Sequence, residues 1–241
     1  MKPSEPYSKE RIMKAGIIKF PGTTCDNDLE SALGSTGFEP SIIWYNNYDQ
    51  IDYFDLIVLP GGYSFGDKDG AGKIASQTAI AKEIISYVQN GGLLLGICNG
   101  CQILSQMKLI SGKWDKNKSH RFIQKYVYLR VENDNTPFTN FFQDREVVKL
   151  HIAHYSGVYT PDDSNSEIDV AFRYCDENGE VSEKSNPQGS YMNIAGVFGK
   201  NRQILGMMPH PERCIDYLFS TIDGRKLFLS LINYLENRKR K

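Results

Sequence analysis

The sequence lacks the features that would tie it to a membrane or to nucleic acid. No apolar run approaches the roughly 20 residues of a membrane-spanning helix, and the N-terminal segment is polar, without the apolar centre of a signal peptide. Lysine and arginine number 28 against 29 acidic residues, a formal net charge of −1. With no overall basic field, we expect neither a membrane nor a nucleic acid partner.

Cysteine and histidine are scarce, at five and four residues. An odd number of cysteines in a 241-residue chain argues against a disulfide framework and predicts a reducing, cytoplasmic setting. No set of cysteines and histidines has the spacing of zinc ligands. No glycine-rich loop has the Walker lysine spacing. We therefore expect no metal and no cofactor in this chain.

The apolar segments of the first half predict alternating strands and helices. Strands are expected at residues 15–20, 41–45, 55–59 and 92–97, and a short helix at 28–33. A longer helix is indicated by an apolar stripe of Ile74, Ala81, Ile84, Ile85 and Val88. Such alternation is typical of a parallel sheet covered on both faces.

The second half of the sequence has a different pattern, because strand-like runs follow one another with shorter connections. These runs lie at residues 127–131, 147–152, 168–174, 194–198 and 203–207, before a helix at 226–236. Short connections favour antiparallel pairing and so a mixed sheet. We expect one three-layer α/β domain over residues 14–241, with residues 1–13 as an N-terminal extension.

The run GICNGCQ, residues 96–102, indicates a nucleophile. It follows a buried strand and opens a helix, with glycines two residues before and two residues after Cys98. This is the spacing of a nucleophile elbow, with cysteine in place of serine. The elbow places the sulfur at a helix N-terminus, which stabilises a thiolate. The N–H of Asn99 would then face a developing oxyanion.

Two other interpretations of this run remain open. Cys98 could be a small core residue after a strand, since cysteine is often buried. Cys98 and Cys101 also form a C-x-x-C pair of the redox type. A redox site, however, gives no reason for glycines on both sides of Cys98.

The run GMMPHPER, residues 206–213, supplies a base. Pro211 favours an extended conformation at His210, and residues two apart in an extended segment project to one side. We therefore predict that His210 and Glu212 face one site as base and orienting acid. A third run, LPGGYSFGD at residues 59–67, has glycines that let backbone N–H groups approach a ligand.

With these three elements in order, the chain resembles the class I glutamine amidotransferases. Within them it is similar to the glutaminase subunits of phosphoribosylformylglycinamidine synthases. The narrower resemblance rests on FPGTTCDND at 20–28, LPGGYSFGD, GICNGCQIL, NIAGV at 193–197 and GMMPHPER. It covers about residues 14–236 and implies a flavodoxin-like three-layer sandwich with a mixed, mostly parallel central sheet.

The resemblance also implies site roles. Cys98 would be the nucleophile, His210 the general base and acid, and Glu212 its orienting partner. N–H groups of Gly61 or Gly62 and of Asn99 would form the oxyanion hole. The glutamine pocket would be lined by Gln102, His154 and Tyr155.

The implied partners are L-glutamine, a large synthetase subunit and a small accessory subunit. The synthetase would use Mg-ATP to convert formylglycinamide ribonucleotide to formylglycinamidine ribonucleotide. Three alternatives stay open: an amidotransferase subunit serving another acceptor, a cysteine peptidase or chaperone-like protein with the same elbow, and a binding module with an inactive site.

Overall fold

A nine-stranded mixed sheet forms the centre of the chain. The computed structural model describes residues 12–47, 51–163, 167–218 and 220–238. The predicted extension, apart from its last two residues, therefore lies outside the described residues. The strands are Met13–Lys19 (β1), Phe38–Trp44 (β2), Leu56–Leu59 (β3), Leu93–Ile97 (β4), Lys113–Lys116 (β5), Ile123–Val131 (β6), Val147–His154 (β7), Ser156–Thr160 (β8), Val170–Cys175 (β9), Ile194–Phe198 (β10) and Ile204–Met207 (β11).

The strand order in the main sheet is β2-β1-β3-β4-β11-β10-β9-β6-β7. All neighbours from β2 to β11 pair in parallel, and all neighbours from β11 to β7 pair antiparallel. The predicted mixed sheet with a parallel core is therefore confirmed. β3 and β4 are buried along their whole length, as expected of apolar strands covered on both faces.

Within the described ranges, four α-helices cover the sheet: Asp26–Thr36 (α1), Ala79–Gln89 (α2), Asn99–Gln106 (α3) and Arg225–Arg238 (α4). Helix α1 packs on β1, β2 and α4, whereas α3 packs on β3, β4 and β11. Helix α1 ends at Gly37, whose left-handed φ of 110° suits glycine. The chain is a three-layer α/β sandwich, as predicted.

The predicted start of the second helix at Ile74 is wrong. Ala75–Gln77 form a separate 3₁₀ turn, and Thr78 is extended, with ψ of 164°. Helix α2 therefore begins only at Ala79. The apolar stripe is real from Ala81 onward, but Ile74 belongs to the preceding segment.

A two-stranded antiparallel sheet of β5 and β8 was not predicted. Its residues 113–116 read Lys-Trp-Asp-Lys, too polar and too short to suggest a strand. Trp114 nevertheless packs edge-on against Tyr159, with ring centroids 5.1 Å apart. This small sheet fixes the start of β8, which borders the candidate site.

None of the helices in the described ranges is long and apolar enough to cross a membrane.

Candidate active site

Loops that follow four parallel strands meet at one edge of the sheet. Cys25 follows β1, Gly61 and Gly62 follow β3, Cys98 follows β4, and residues 208–213 follow β11. The carboxyl ends of parallel strands share one edge, which is where open α/β sheets bind ligands. Residues far apart in sequence are thereby brought into one cleft.

Cys98 occupies the predicted elbow between β4 and α3. Its φ of 52° and ψ of −109° are strained for a residue with a side chain. Its N–H donates to the carbonyl of Met207 at 2.8 Å, which ties the elbow to β11. Helix α3 begins at Asn99, so the sulfur lies directly at a helix N-terminus.

The two glycines that flank Cys98 allow the close packing of the elbow. A methyl group on Gly100 would lie 1.9 Å from the carbonyl oxygen of Leu59 in β3. One on Gly96 would lie 2.8 Å from the carbonyl oxygen of Gly100 and 2.6 Å from a methyl of Leu104. Any larger residue would push α3 away from the sheet.

His210 and Glu212 meet as predicted, but by a different local geometry. His210 is extended, with φ of −102° and ψ of 90°, whereas Pro211–Arg213 form a 3₁₀ turn. The prediction that all three residues are extended is therefore wrong. The turn still brings Nδ1 of His210 to 2.5 Å from Oε1 of Glu212, with both side chains buried. The N–H of His210 donates to the carbonyl of His151 at 2.8 Å.

The charge state of His210 follows from its neighbours. Burial disfavours the imidazolium, but the Glu212 carboxylate and the sulfurs of Cys25 and Cys98 outweigh it, so the pKa of His210 is raised well above its ordinary value. Its Nε2 is buried and makes no hydrogen bond within the described part of the chain. A histidine held in this way can give a proton to, or take one from, a reacting group in the cleft.

The glycines after β3 form one wall of the site. A methyl group on Gly61 would lie 2.9 Å from Cε1 of His210, 3.1 Å from Sγ of Cys25 and 3.3 Å from Cβ of Cys98. Gly62 has φ of +143° and packs against the backbone of the loop that follows β1. The backbone at Gly61 therefore lies beside the sulfur of Cys25 and the Cβ atom of Cys98.

Asn99 and Gln102 belong to a buried hydrogen-bond network. The amide nitrogen of Asn99 donates to Asp67 and to Oε1 of Gln102, both at 3.0 Å, and its oxygen accepts the N–H of Ser64 at 3.0 Å. The Gln102 side chain donates to the carbonyl of Ser156 at 2.8 Å. This network links the loop after β3 and the start of β8 to α3. Burial raises the pKa of Asp67, a residue that sequence reasoning did not single out.

His154 and Tyr155 both border the cleft. His154 is buried, with Nδ1 3.2 Å from Oδ1 of Asn117. Burial, together with the charge of His210, lowers the pKa of His154 to about 3, so this histidine is neutral near pH 7. Tyr155 is partly exposed at the rim.

The cleft has a volume of about 230 Å³. Six predicted residues line it: Gly62, Cys98, Gln102, His154, Tyr155 and His210. Glu212 lies behind His210, and Asn99 lies in the first turn of α3.

Sequence reasoning missed Cys25 and Arg213, which also line the cleft. The Arg213 guanidinium lies 3.2 Å from Sγ of Cys25 and 3.2 Å from Asp28. The run FPGTTCDND is part of the family resemblance. Its position after the first strand is the signal that could have placed Cys25 at the carboxyl edge of the sheet.

Cys101 is directed into the core. It is fully buried, and its sulfur would lie 2.9 Å from a methyl group on Gly206 of β11. Burial raises the pKa of the Cys101 thiol well above its ordinary value. All five cysteines are free. The structure therefore gives no support to a Cys98–Cys101 redox pair.

A cysteine on a strand-to-helix elbow, paired with a buried histidine–carboxylate dyad on a flavodoxin-like sheet, defines the class of triad cysteine hydrolases and amidotransferases. Residues 12–228 match the family model of the CobB/CobQ-like glutamine amidotransferase domain. The chain belongs to this glutamine amidotransferase family.

Within this family, the chain is similar to PurQ subunits of phosphoribosylformylglycinamidine synthases. The chain is 44% identical over 229 residues to phosphoribosylformylglycinamidine synthase subunit PurQ of Pseudothermotoga lettingae, covering 94% of this chain and 98% of that protein. Identity to the PurQ subunit of Pyrococcus horikoshii is 40%, covering 93% and 100%. The solved structure of PurLQS from Thermotoga maritima contains a chain 40% identical, with a TM-score of 0.85 and coverage of 93% and 100%.

Proposed function

We propose that this chain is the glutaminase subunit of a phosphoribosylformylglycinamidine synthase. It hydrolyses L-glutamine to glutamate and ammonia and supplies the ammonia to a synthetase partner in purine biosynthesis. One observation carries the proposal. Cys98, His210 and Glu212 meet at the sheet edge in a chain that matches PurQ subunits over more than 90% of its length.

In the first step, the Cys98 thiolate attacks the carboxamide carbon of glutamine. Negative charge develops on the former carbonyl oxygen, where the N–H of Asn99 and one from Gly61 or Gly62 stabilise it. His210 donates its proton to the leaving nitrogen, which departs as ammonia. Glu212, 2.5 Å from Nδ1, keeps Nε2 directed toward the sulfur and the leaving group.

In the second step, water hydrolyses the glutamyl thioester. His210, now neutral at Nε2, takes a proton from the water, and a second tetrahedral intermediate forms at the same oxyanion site. Collapse of this intermediate releases glutamate and regenerates the thiolate and the protonated His210. The buried Glu212 carboxylate stabilises the imidazolium in both steps.

The walls of the cleft suit a small polar amino acid. Gln102, His154 and Tyr155 line the cleft, and we assign these three residues to glutamine binding. The Gln102 side chain is held by the carbonyl of Ser156 and by Asn99. Movement of the start of β8 or of the loop after β3 would therefore change both substrate binding and the oxyanion hole.

The acceptor chemistry belongs to the partners. We assign Mg-ATP and formylglycinamide ribonucleotide to a large synthetase subunit that acts with a small accessory subunit, and no cofactor to this chain. Support comes from the PurLQS structure, whose matching chain is covered completely by this one. Five free cysteines fit a cytoplasmic setting.

The test is labelling with an electrophilic glutamine analogue, followed by peptide mapping. We expect the label on Cys98, at one equivalent, and no label in the Cys98→Ala variant. Cys25 makes this test stringent because its sulfur lies in the same cleft. Label on Cys25 in the wild-type chain, with Cys98 unmodified, would contradict the assignment of the nucleophile.

A second measurement tests the subunit role. Mixing the chain with its synthetase and accessory subunits should raise glutamate release and yield formylglycinamidine ribonucleotide with glutamine as nitrogen source. Glutamate release without that product, under conditions where the synthetase uses ammonium salts, would support a different acceptor.

A further inference from the structure

We propose that Asp67 is a positioning residue that fixes the separation of the two backbone donors of the oxyanion hole. Asp67 acts through the Asn99 side chain, and its carboxylate takes no part in proton transfer. The inference rests on the proposed function, because it assigns a role within glutamine hydrolysis. It adds a residue outside the triad, the oxyanion donors and the residues assigned to glutamine binding.

The Asp67 carboxylate determines which way the Asn99 side-chain amide points. A carboxylate can only accept hydrogen bonds, and Oδ1 of Asp67 accepts one from Nδ2 of Asn99 at 3.0 Å. Oδ1 of Asn99 is thereby left to accept the N–H of Ser64, also at 3.0 Å. Asn99 is buried, so reversing its amide would leave buried polar groups unpaired, which is costly.

The Asn99 side chain joins the two walls of the oxyanion hole. Asn99 is the first residue of α3, and its own N–H is one of the assigned donors. Ser64 follows closely after Gly61 and Gly62, one of which supplies the other donor. The hydrogen bond from the Ser64 N–H to Asn99 therefore sets how far apart the two donors lie, and Asp67 keeps Asn99 in the orientation that accepts it.

The backbone of residues 64–72 is shaped around this contact. Asp67 has a φ of 52°, a left-handed conformation that is costly for a residue with a side chain. The N–H of Gly72 also hydrogen-bonds to the Asp67 carboxylate, and a methyl group on Gly72 would lie 2.7 Å from the backbone nitrogen of Ile103 in α3. The segment thus contacts α3 at both of its ends, and Asp67 bonds to both contacts.

A matched pair of variants tests this role. Asp67 and Asp69 have φ of 52° and 61°, and Asp69 is exposed. Glycine adopts this conformation readily, so Asp67→Gly and Asp69→Gly each remove one carboxylate without adding backbone strain. Because oxyanion donors act in the transition state, Asp67→Gly should lower kcat for glutamine hydrolysis by up to roughly 10²-fold, with a much smaller change in KM. Asp69→Gly should match the wild type.

A conservative variant separates positioning from general stability. Asp67→Asn keeps an oxygen to which Asn99 can donate, so it should recover most of the kcat that Asp67→Gly loses. Equal kcat in Asp67→Gly and Asp69→Gly, a loss confined to KM, or an equal loss in Asp67→Asn and Asp67→Gly would each overturn the proposal.

Hydrogen–deuterium exchange gives a readout that needs no turnover. Backbone amides of residues 98–103, at the elbow and the start of α3, should exchange faster in Asp67→Gly than in the wild type and in Asp69→Gly. Unchanged exchange there would overturn the role of Asp67 whether or not the chain hydrolyses glutamine. A wild-type chain without glutaminase activity would instead contradict the proposed function, so the two failures are distinguishable.

Discussion

Gly100→Ala should strongly reduce glutamine hydrolysis, although Gly100 is not among the residues assigned to catalysis or to glutamine binding. The new methyl group would lie 1.9 Å from the carbonyl oxygen of Leu59, about 1.5 Å short of ordinary contact at 3.4 Å. Because Leu59 belongs to the buried strand β3, helix α3 must move instead. Cys98 and Asn99 lie at the start of α3 and would move with it. A misplacement of about 1 Å can cost roughly 10²-fold in rate, and overpacking costs about 1–3 kcal/mol of stability.

The assay is kcat/KM for glutamine hydrolysis, normalised to the folded fraction from circular dichroism. Gly34→Ala is the matched control, because Gly34 also lies in a helix, α1, and its new methyl would have only Pro40 nearby, at 4.0 Å. That variant should keep full activity and gain up to about 0.5–1 kcal/mol of stability. If folded Gly100→Ala matches the wild type in kcat/KM, the close packing of the elbow does not position the nucleophile.

Two other predictions concern the histidines. His210→Ala should lower the rate of glutamine hydrolysis by about 10²–10⁴-fold, because proton transfer is lost. Glu212→Ala should lower it by less, since the base remains but is poorly oriented. If His154→Ala showed that loss while His210→Ala stayed fully active, His210 would not be the base. Folded His154 has a pKa of about 3 against 6.5 for the free side chain, so below pH 6.5 only the unfolded state takes up its proton. His154 should therefore reduce stability by about 1.4 kcal/mol per pH unit as pH falls from 6.5 toward 3, measured by urea unfolding against His154→Gln, whose curve should lack this slope; parallel curves would refute it.

Local patterns in the sequence were sufficient to predict the fold class and the elbow at Cys98. Strands buried on both faces are apolar runs in the sequence, so the bounds of β3 and β4 were predicted to within a residue or two. The two glycines around Cys98 indicated the elbow, and in the structure both are closely packed. The contact of His210 with Glu212 was also predicted, although the 3₁₀ turn at Pro211–Arg213 replaces the expected extended segment.

Features that depend on distant parts of the chain were missed. Cys25 and Arg213 are 188 positions apart and meet only because β1 and β11 end at the same edge of the sheet. The β5–β8 sheet forms where tertiary packing of Trp114 on Tyr159 overrides a polar local sequence. Helix α2 begins at Ala79 and not at Ile74 because Thr78 is extended, and no apolar periodicity in the sequence indicates this.

The central claim is that this chain only liberates ammonia and leaves its use to a partner. The most direct measurement compares wild-type and Cys98→Ser chains in the reconstituted complex, following formylglycinamidine ribonucleotide formation with glutamine or with ammonium salts. We predict that Cys98→Ser abolishes synthesis from glutamine and leaves synthesis from ammonium unchanged. Loss of the ammonium-dependent reaction as well, in a complex that still assembles, would contradict this division of labour.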